Sequence, residues 1–215
     1  MKAHLVLLLA LIVLSAAAST GQAQSMTTPS PSSWVAIPSN ALVTINGNIF
    51  EAECGANSQA IQQNGQVVHF EMIPDNKWAE DAWDSERAEL DGYKQTMTPG
   101  TPYWAAWSLY LERGTWSTSD WLVLEQIPGL WGHLILKGSH RLSFIVSKVP
   151  IARMSVEQGV WYNFVEKYVV GPTGSVTSWV NGKQVANYTG RIGSGGPFIQ
   201  SSAYIVATAP PRVLP

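Results

Sequence analysis

Arg87 and Glu89 are the residues of this chain whose types and spacing first suggest chemistry. They belong to an R-x-E-L pattern at Arg87–Leu90, within a stretch that is typical of a short β-strand. Successive side chains of a strand point to opposite faces, so Arg87 and Glu89 share one face and Ala88 and Leu90 share the other. Such a pair can bind and orient a polar substrate, or it can be a surface ion pair of little energetic value. These residues alone leave both interpretations open.

A pair of carboxylates on a β-sandwich can also hydrolyse a glycosidic bond, by acid and base or by a nucleophile. Glu86 and Glu89 have the required residue type. They are separated by an odd number of residues, so one regular strand cannot direct both side chains into the same cleft. This spacing ranks glycoside hydrolysis below the other interpretations.

Spacing excludes several other chemistries. The histidines show no paired zinc-ligand spacing, and the chain has neither a G-x-S-x-G elbow nor a glycine loop for phosphate. The acidic residues between positions 75 and 86 lack the alternation of an EF-hand loop, so no motif supports a structural calcium ion. We therefore expect no cofactor and no catalytic metal, and a structural calcium ion stays an open alternative that no motif supports. The four histidines are His4, His69, His133 and His140. Of these, His133 is an even number of residues from Lys137, so the two side chains are candidates for one shared strand face.

Composition limits the partners. The chain has 215 residues with a formal net charge of -2, and only 13% of them are charged. This gives no electrostatic footprint for nucleic acid or an anionic membrane. Ten Trp and seven Tyr are a more informative surplus, because amphipathic rings fill β cores and also stack on ligands such as sugars. We expect Trp104, Trp107, Trp161 and Trp179 in the core. Trp78 and Trp83, in a polar loop before R-x-E-L, are better candidates for stacking on a sugar.

The first residues are typical of a secretory signal peptide. Lys2 precedes an apolar run at Leu5–Leu14 that is too short to span a bilayer, and small residues follow. We predict a signal peptide over residues 1–23, cleaved after Ala18 or Ala23, and a flexible Ser/Thr/Pro-rich lead-in over 24–33. Residues 34–215 then form one domain of a secreted protein, which we expect to be a monomer without membrane attachment.

Cys54 and Asn187 are two isolated features. Cys54 is the only cysteine, so no intramolecular disulfide can form, and we expect a small buried hydrophobe. Asn187 begins an N-glycosylation sequence, N-Y-T, which is relevant in a eukaryotic source.

From Trp34 onward, short β-rich runs alternate with Gly, Pro and Asn turns, and no segment has a convincing helical pattern. Asn181-Gly182 is the strongest two-residue hairpin signal, and Gly171–Gly174 is also predicted to be a turn. Regular spacing of this kind predicts an all-β sandwich or jelly roll. The predicted strands are Leu42–Phe50, Val67–Ile73, Glu86–Gly92, Tyr103–Glu112, Asp120–Ile127, His133–Lys137, Arg141–Ser147, Trp161–Val170, Ser175–Val180 and Phe198–Val206.

Three of these predicted strands resemble strands of a known protein family. R-x-E-L at Arg87–Leu90, the strand Trp121–Pro128 and the last strand Phe198–Tyr204 resemble the three signature strands of jelly-roll polysaccharide lyases. That group includes alginate lyases, glucuronan lyases and, more distantly, heparin lyase I. Tyr103–Leu111 and Trp179–Lys183 also look like strands of this family, and the resemblance covers most of residues 67–206.

The resemblance implies a sandwich of two antiparallel sheets with a concave binding face. It also implies that this face binds an acidic polysaccharide and cleaves a 4-linked uronic acid by β-elimination. Arg87 and Gln126 match the family positions that neutralise the sugar carboxylate, a task for positioned donors. Tyr204 matches the residue that acts as base and then as acid. Glu89 and Gln200 are expected to contact the polymer. His133, Lys137 and Trp83 complete the predicted substrate-binding set.

The chain departs from the family pattern at two of the signature strands. Related alginate lyases have Q-I-H where this chain has Gln126-Ile127-Pro128, so a His is missing. Gln200 and Ser202 replace the usual Lys and Gly of the last strand, and Ile205 replaces a common Arg. A tyrosine-only elimination accommodates these losses, and so does a sugar-binding protein without catalysis. The lyase is the leading hypothesis, the lectin-like protein is the second and the glycoside hydrolase is the third.

Overall fold

The structure, a computed structural model, describes residues 33–57, 59–71, 73, 75–80, 86–92, 96–112, 121–127, 131–136, 140–146, 149–192, 198–199 and 202–209. The described part of the chain contains no helix long and apolar enough to cross a membrane. Its strands are, in chain order, β1 (Val35–Ala36), β2 (Leu42–Ile45), β3 (Asn48–Cys54), β4 (Ile61–Asn64), β5 (Val67–Phe70), β6 (Glu86–Gly92), β7 (Thr96–Met97), β8 (Pro102–Tyr110), β9 (Trp121–Ile127), β10 (Trp131–Leu136), β11 (Arg141–Val146), β12 (Val149–Ser155), β13 (Trp161–Val169), β14 (Gly171–Val180), β15 (Lys183–Ile192), β16 (Phe198–Ile199) and β17 (Ser202–Ala209).

Two antiparallel sheets form the sandwich. The large sheet has eight strands in the order β12-β11-β10-β9-β17-β6-β3-β2, and the small sheet has four in the order β15-β14-β13-β8. Strand β17, last in the chain, lies between β9 and β6, so the jelly roll closes only when its C-terminal strand is inserted. A minor sheet, β1-β4-β5, and the β7–β16 pair flank the sandwich. The predicted all-β jelly-roll sandwich is confirmed.

Alternation along each strand produces the core. In β3, Phe50, Ala52 and Cys54 are buried on the inner face. In the small sheet, the Trp107 ring stacks on Phe164 with centroids 4.0 Å apart. Burial raises the pKa of the Cys54 thiol, opposed by a hydrogen bond from the Ser39 side chain. The expectation that Cys54 is a buried hydrophobe is confirmed.

A polar cluster lies inside this core and joins the two sheets. The Tyr168 hydroxyl of β13 donates to Glu166 and lies 3.4 Å from Oε1 of Glu125, which belongs to β9. Ser178 Oγ donates to the other oxygen of Glu166 at 2.7 Å. All four side chains are buried, and burial together with the two carboxylates raises the pKa of Tyr168 well above its usual value.

Three local predictions were wrong. The predicted strand Leu42–Phe50 is a hairpin, because Asn46 (φ 49°) and Gly47 (φ 80°) adopt the left-handed conformation of a tight turn. The predicted turn at Gly171–Gly174 lies within β14, where the pairing with β15 shifts register. Trp104 and Trp179 lie on the outer face of the small sheet, as described below. The hairpin at Asn181-Gly182 is confirmed.

Candidate active site

Strand β6 displays its charges on the outer face of the large sheet. Ala88 and Leu90 are fully buried on the inner face, which leaves Arg87 and Glu89 on the other side. Arg87 Nη1 lies 3.2 Å from Glu89 Oε2. The prediction that these two side chains share a face is therefore confirmed.

Glu53 of β3 completes this charged group from the neighbouring strand. Glu53 and Glu89 are cross-strand partners, and Arg87 Nη1 donates to Glu53 Oε2 at 2.7 Å. The three side chains are largely shielded from solvent: 15% of Arg87 and 1% of Glu89 is exposed. Losing one member of a shielded ion pair is costly, because the remaining charge is left without its counterion. The geometry therefore fixes the guanidinium between two carboxylates.

Sequence reasoning missed Glu53. Its signal was the alternation of β3, in which Glu51 and Glu53 are interleaved with the apolar Phe50, Ala52 and Cys54. Only strand pairing, which links residues far apart in the chain, brings Glu53 to Glu89.

The outer face around this group is acidic. Glu51 and Asp91 are cross-strand partners one row further along the same two strands. Four carboxylates and the Arg87 guanidinium thus occupy adjacent positions of β3 and β6. Their summed charge is negative, which disfavours an anionic ligand at this end of the face.

Trp78 lies over the guanidinium. Arg87 Cζ is 5.6 Å from the centre of the Trp78 ring, within the range of a cation–π contact. The indole N–H of Trp78 donates to Asn40 Oδ1 at 2.8 Å, which orients the ring. An aromatic ring held beside a charged group is suited to packing against one face of a sugar.

Asn76 fixes the start of β6. Its backbone carbonyl accepts from the Arg87 backbone N–H at 3.2 Å, and its side-chain oxygen accepts from the Asn57 N–H at 3.1 Å. Gly55 makes room for this contact, since a Cβ there would lie 2.3 Å from Asn76 Oδ1. The segment around Gly55 and the beginning of β6 are thus held together at the base of Arg87.

Gln126 and Tyr204 meet on adjacent strands. They are direct cross-strand partners of β9 and β17, and such partners occupy the same face. Along β17, Tyr204 is an even step from Val206 and Thr208, which are the partners of Glu89 and Arg87. The register therefore assigns Arg87, Gln126 and Tyr204 to one face, with the Arg87 row roughly 13 Å along the strands from the Tyr204 row. Convergence of their side chains in one cleft stays a prediction.

His133 does not share the cross-strand row of Gln126 and Tyr204. It is the partner of Glu125 on one side and of Phe144 on the other, and both of these are buried on the inner face. The register thus separates His133 from the Gln126 position. Among the other described histidines, His69 belongs to β5 of the minor sheet and His140 is an exposed residue before β11. The predicted site residues Trp83, Lys137 and Gln200 lie outside the described residues, as does Pro128.

No group of three or more His, Cys, Asp or Glu side chains in the described ranges is arranged to hold a metal ion. The four carboxylates of β3 and β6 are accompanied by a guanidinium that already contacts two of them.

The architecture defines an all-β jelly-roll protein. No protein-family model matches the chain, and no curated protein sequence matches it. Among solved structures, it is similar to the alginate lyase AlgAT5 of polysaccharide lyase family 7, with 13% identity, a TM-score of 0.53 and 72% coverage of each chain. It is also similar to the catalytic domain of a GH131 β-glucanase from Podospora anserina, with 11% identity, a TM-score of 0.58 and coverage of 76% of this chain and 77% of that one.

A third similar structure is an endo-β-1,4-glucuronan lyase from Trichoderma reesei, with 11% identity, a TM-score of 0.45 and coverage of 82% of this chain and 76% of that one. At the identities of the first two structures, the likeness establishes the jelly-roll fold. Those two structures are a lyase and a glucanase, so the chemistry has to be argued from this chain's own residues.

Proposed function

We propose that this protein is a secreted polysaccharide lyase that cleaves a 4-linked uronic polymer by β-elimination on the outer face of the large sheet. One observation carries the proposal: the pairing of Gln126 with Tyr204, which supports a donor and an acid/base side by side. The lyase-like signature strands and the fold shared with an alginate lyase add to it.

The chemistry assigns a role to each residue. Gln126 donates to the carboxylate of the reacting sugar, which makes the adjacent C5 proton acidic enough to be removed. The Tyr204 oxygen takes that proton, a double bond forms between C4 and C5, and the C4–O bond breaks. Tyr204 then returns a proton to the departing glycosidic oxygen.

Arg87 contributes from a more distant position. Its row is roughly 13 Å from that of Tyr204, a separation greater than one hydrogen bond spans. Arg87 therefore does not neutralise the reacting carboxylate in this proposal; held between Glu53 and Glu89, its guanidinium offsets part of their negative charge beside the path of the polymer.

Tyr204 acts as both acid and base in this proposal because the strand register places none of the described histidines on the same sheet face as Tyr204. His133 is registered with the buried Glu125 and Phe144. The replacement of the family His by Pro128 points in the same direction.

A glycoside hydrolase is the second candidate, and Glu53 favours it. Both carboxylates of the Glu53–Glu89 pair contact the same Arg87 nitrogen, so the two contacting oxygens lie within about 6 Å of each other, close to the spacing in retaining glycosidases. The negative charge of this end of the face suits a neutral glucan better than a polyanion. The structural likeness to a β-glucanase is compatible with this candidate.

Product analysis on a polymer panel tests these alternatives. The purified protein is incubated with polyglucuronate, alginate, a glycosaminoglycan and a neutral β-glucan, while ultraviolet absorbance and reducing ends are followed. The lyase proposal predicts absorbance from unsaturated ends with a uronic polymer. Reducing ends from the glucan without absorbance select the hydrolase, and binding without any product selects the lectin-like protein.

A further inference from the structure

Two tryptophans stack on the outer face of the small sheet, on the opposite side of the sandwich from the candidate active site. The rings of Trp104 (β8) and Trp179 (β14) have centroids 5.9 Å apart and planes 17° apart. Both strands flank β13, where Lys167 is the partner of Trp104 and Val165 is the partner of Trp179. Trp104 is 36% exposed and Val165 is 41% exposed. Grouped large apolar side chains on an exposed sheet face commonly mark a binding surface.

The charges of this face are positive. Lys167 Nζ lies 5.6 Å from the centre of the Trp104 ring, and Arg191 of β15 is exposed an even step beyond Thr189. None of the described strand positions that alternation assigns to this outer face is Asp or Glu. Thr177 and Asn187, hydrogen-bonded to each other at 3.2 Å, add hydroxyl and amide groups beside the rings.

The other aromatic pair of the same face is used by the fold itself. Tyr110 and Trp161 have centroids 5.1 Å apart and pack against Val67 of the minor sheet. This contact covers one end of the face. The rings of Trp104 and Trp179 form a separate aromatic surface at the other end.

We propose that this surface, formed by Trp104, Trp179 and Lys167, is a second binding site whose ligand is an acidic polysaccharide. The rings offer apolar faces to the C–H groups of successive sugars, and Lys167 attracts a sugar carboxylate. Charge complementarity selects the occupant, since Lys167 lies over the Trp104 ring and none of the described strand positions of this outer face is Asp or Glu. The site holds a polymer without cleaving it, and only the use of Tyr204→Phe as the uncleaving protein in its test rests on the proposed function.

Binding measured on an uncleaving variant tests this site. The full chain carrying Tyr204→Phe is titrated calorimetrically with polyglucuronate and, in parallel, with a neutral β-glucan, at low and high salt. Adding Trp104→Ala and Trp179→Ala should weaken polyglucuronate binding about tenfold, as expected for losing two ring contacts. Lys167→Gln should weaken binding less and reduce its salt dependence. Val149→Thr, at an exposed position of β12, should leave the affinity unchanged.

Several results would overturn the proposal. One is the absence of binding to any acidic polymer, and another is equal binding to the neutral glucan. Unchanged affinity in the Trp104→Ala and Trp179→Ala protein, with loss on Arg87→Gln instead, would assign all binding to the candidate active site. A dimer that dissociates on Trp104→Ala would assign the surface to a second copy of the chain. The single Trp104→Ala variant alters a partly exposed side chain, and Lys167→Gln removes only a charge, so the test does not depend on the double variant folding.

Discussion

The outer face of the large sheet has its charges in contact with one another, whereas the outer face of the small sheet has its rings in contact. On the first, Arg87 is held between Glu53 and Glu89 and is mostly shielded from solvent. On the second, Trp104 and Trp179 stack with an exposed edge and Lys167 lies over one of them.

The sandwich therefore has two kinds of outer surface, a shielded charged one on the large sheet and an exposed aromatic one on the small sheet. Shielded charges fix each other's positions, which suits a reaction that needs donors held in place. An exposed aromatic surface tolerates different sugars and registers along a polymer, which suits binding without chemistry. The comparison predicts that substitutions on the first face alter rate and stability, and that those on the second alter affinity.

The largest expected effect is on catalysis. Tyr204→Phe keeps the ring and removes the hydroxyl that transfers the proton in the proposed mechanism, so kcat should fall about 100- to 10,000-fold with little change in the unfolding midpoint. Initial rates from ultraviolet absorbance with a uronic polymer measure this. Tyr188→Phe, in β15 of the small sheet, is the matched control and should keep its rate. Retention of most of the activity by Tyr204→Phe would mean that another group handles the proton.

Removing one cation from each face tests whether the shielded charge contributes more to the free energy of unfolding than the exposed one. Arg87→Gln leaves Glu53 and Glu89 facing each other in a shielded position, so the free energy of unfolding should drop by about 3–5 kcal/mol. Lys167→Gln, on the exposed face, should change it by less than about 0.5 kcal/mol. Urea unfolding at neutral pH measures both. Equal losses in the two variants would remove the distinction between the faces.

Arg87→Lys asks what the guanidinium does beyond carrying charge. An ammonium keeps the charge but lacks the planar fork that holds a carboxylate with two bonds. We expect turnover to fall strongly while part of the stability is retained. Full activity in Arg87→Lys would reduce the role of Arg87 to charge balance.

The smallest effect concerns Tyr168, which joins the two sheets. Its pKa is raised in the folded protein, so its stabilising contribution is complete below the unfolded value near 10 and is lost as pH rises toward the folded value. Between pH 10 and 11, the unfolding free energy should fall by about 1 kcal/mol more in the unmutated protein than in Tyr168→Phe, because the unfolded tyrosine is half deprotonated at pH 10 and almost fully deprotonated at pH 11. Urea midpoints across this range measure the difference, and parallel curves would contradict it.

The alternation of apolar and polar residues along a strand was sufficient to predict part of the fold and of the site. The bounds of β6 and the shared face of Arg87 and Glu89 were predicted correctly, because apolar Ala88 and Leu90 interleave with the charges. The all-β jelly-roll architecture also followed from strand spacing and turn residues. These features depend on neighbours in the sequence.

Long-range pairing limited the rest. Glu53 reaches Glu89 only through the β3–β6 ladder, and sequence gives no direct measure of that register. The same holds for His133, whose strand partners are the buried Glu125 and Phe144. Trp104 was placed in the core, although its odd separation from the buried Trp107 indicates opposite faces. Counting the steps between aromatics would have identified the exposed ring.

Mass spectrometry of products formed in water labelled with heavy oxygen tests the central claim most directly. Elimination on the outer face of the large sheet adds no water, so each new non-reducing end should lack one water molecule. Label in the new reducing ends should not exceed the anomeric exchange measured with a preformed oligosaccharide. The unmutated protein with polyglucuronate should give this result, and Tyr204→Phe should give almost no product. Heavy oxygen above that exchange in the new reducing ends, lost on Glu53→Gln and kept on Tyr204→Phe, would contradict elimination and identify hydrolysis by the Glu53–Glu89 pair.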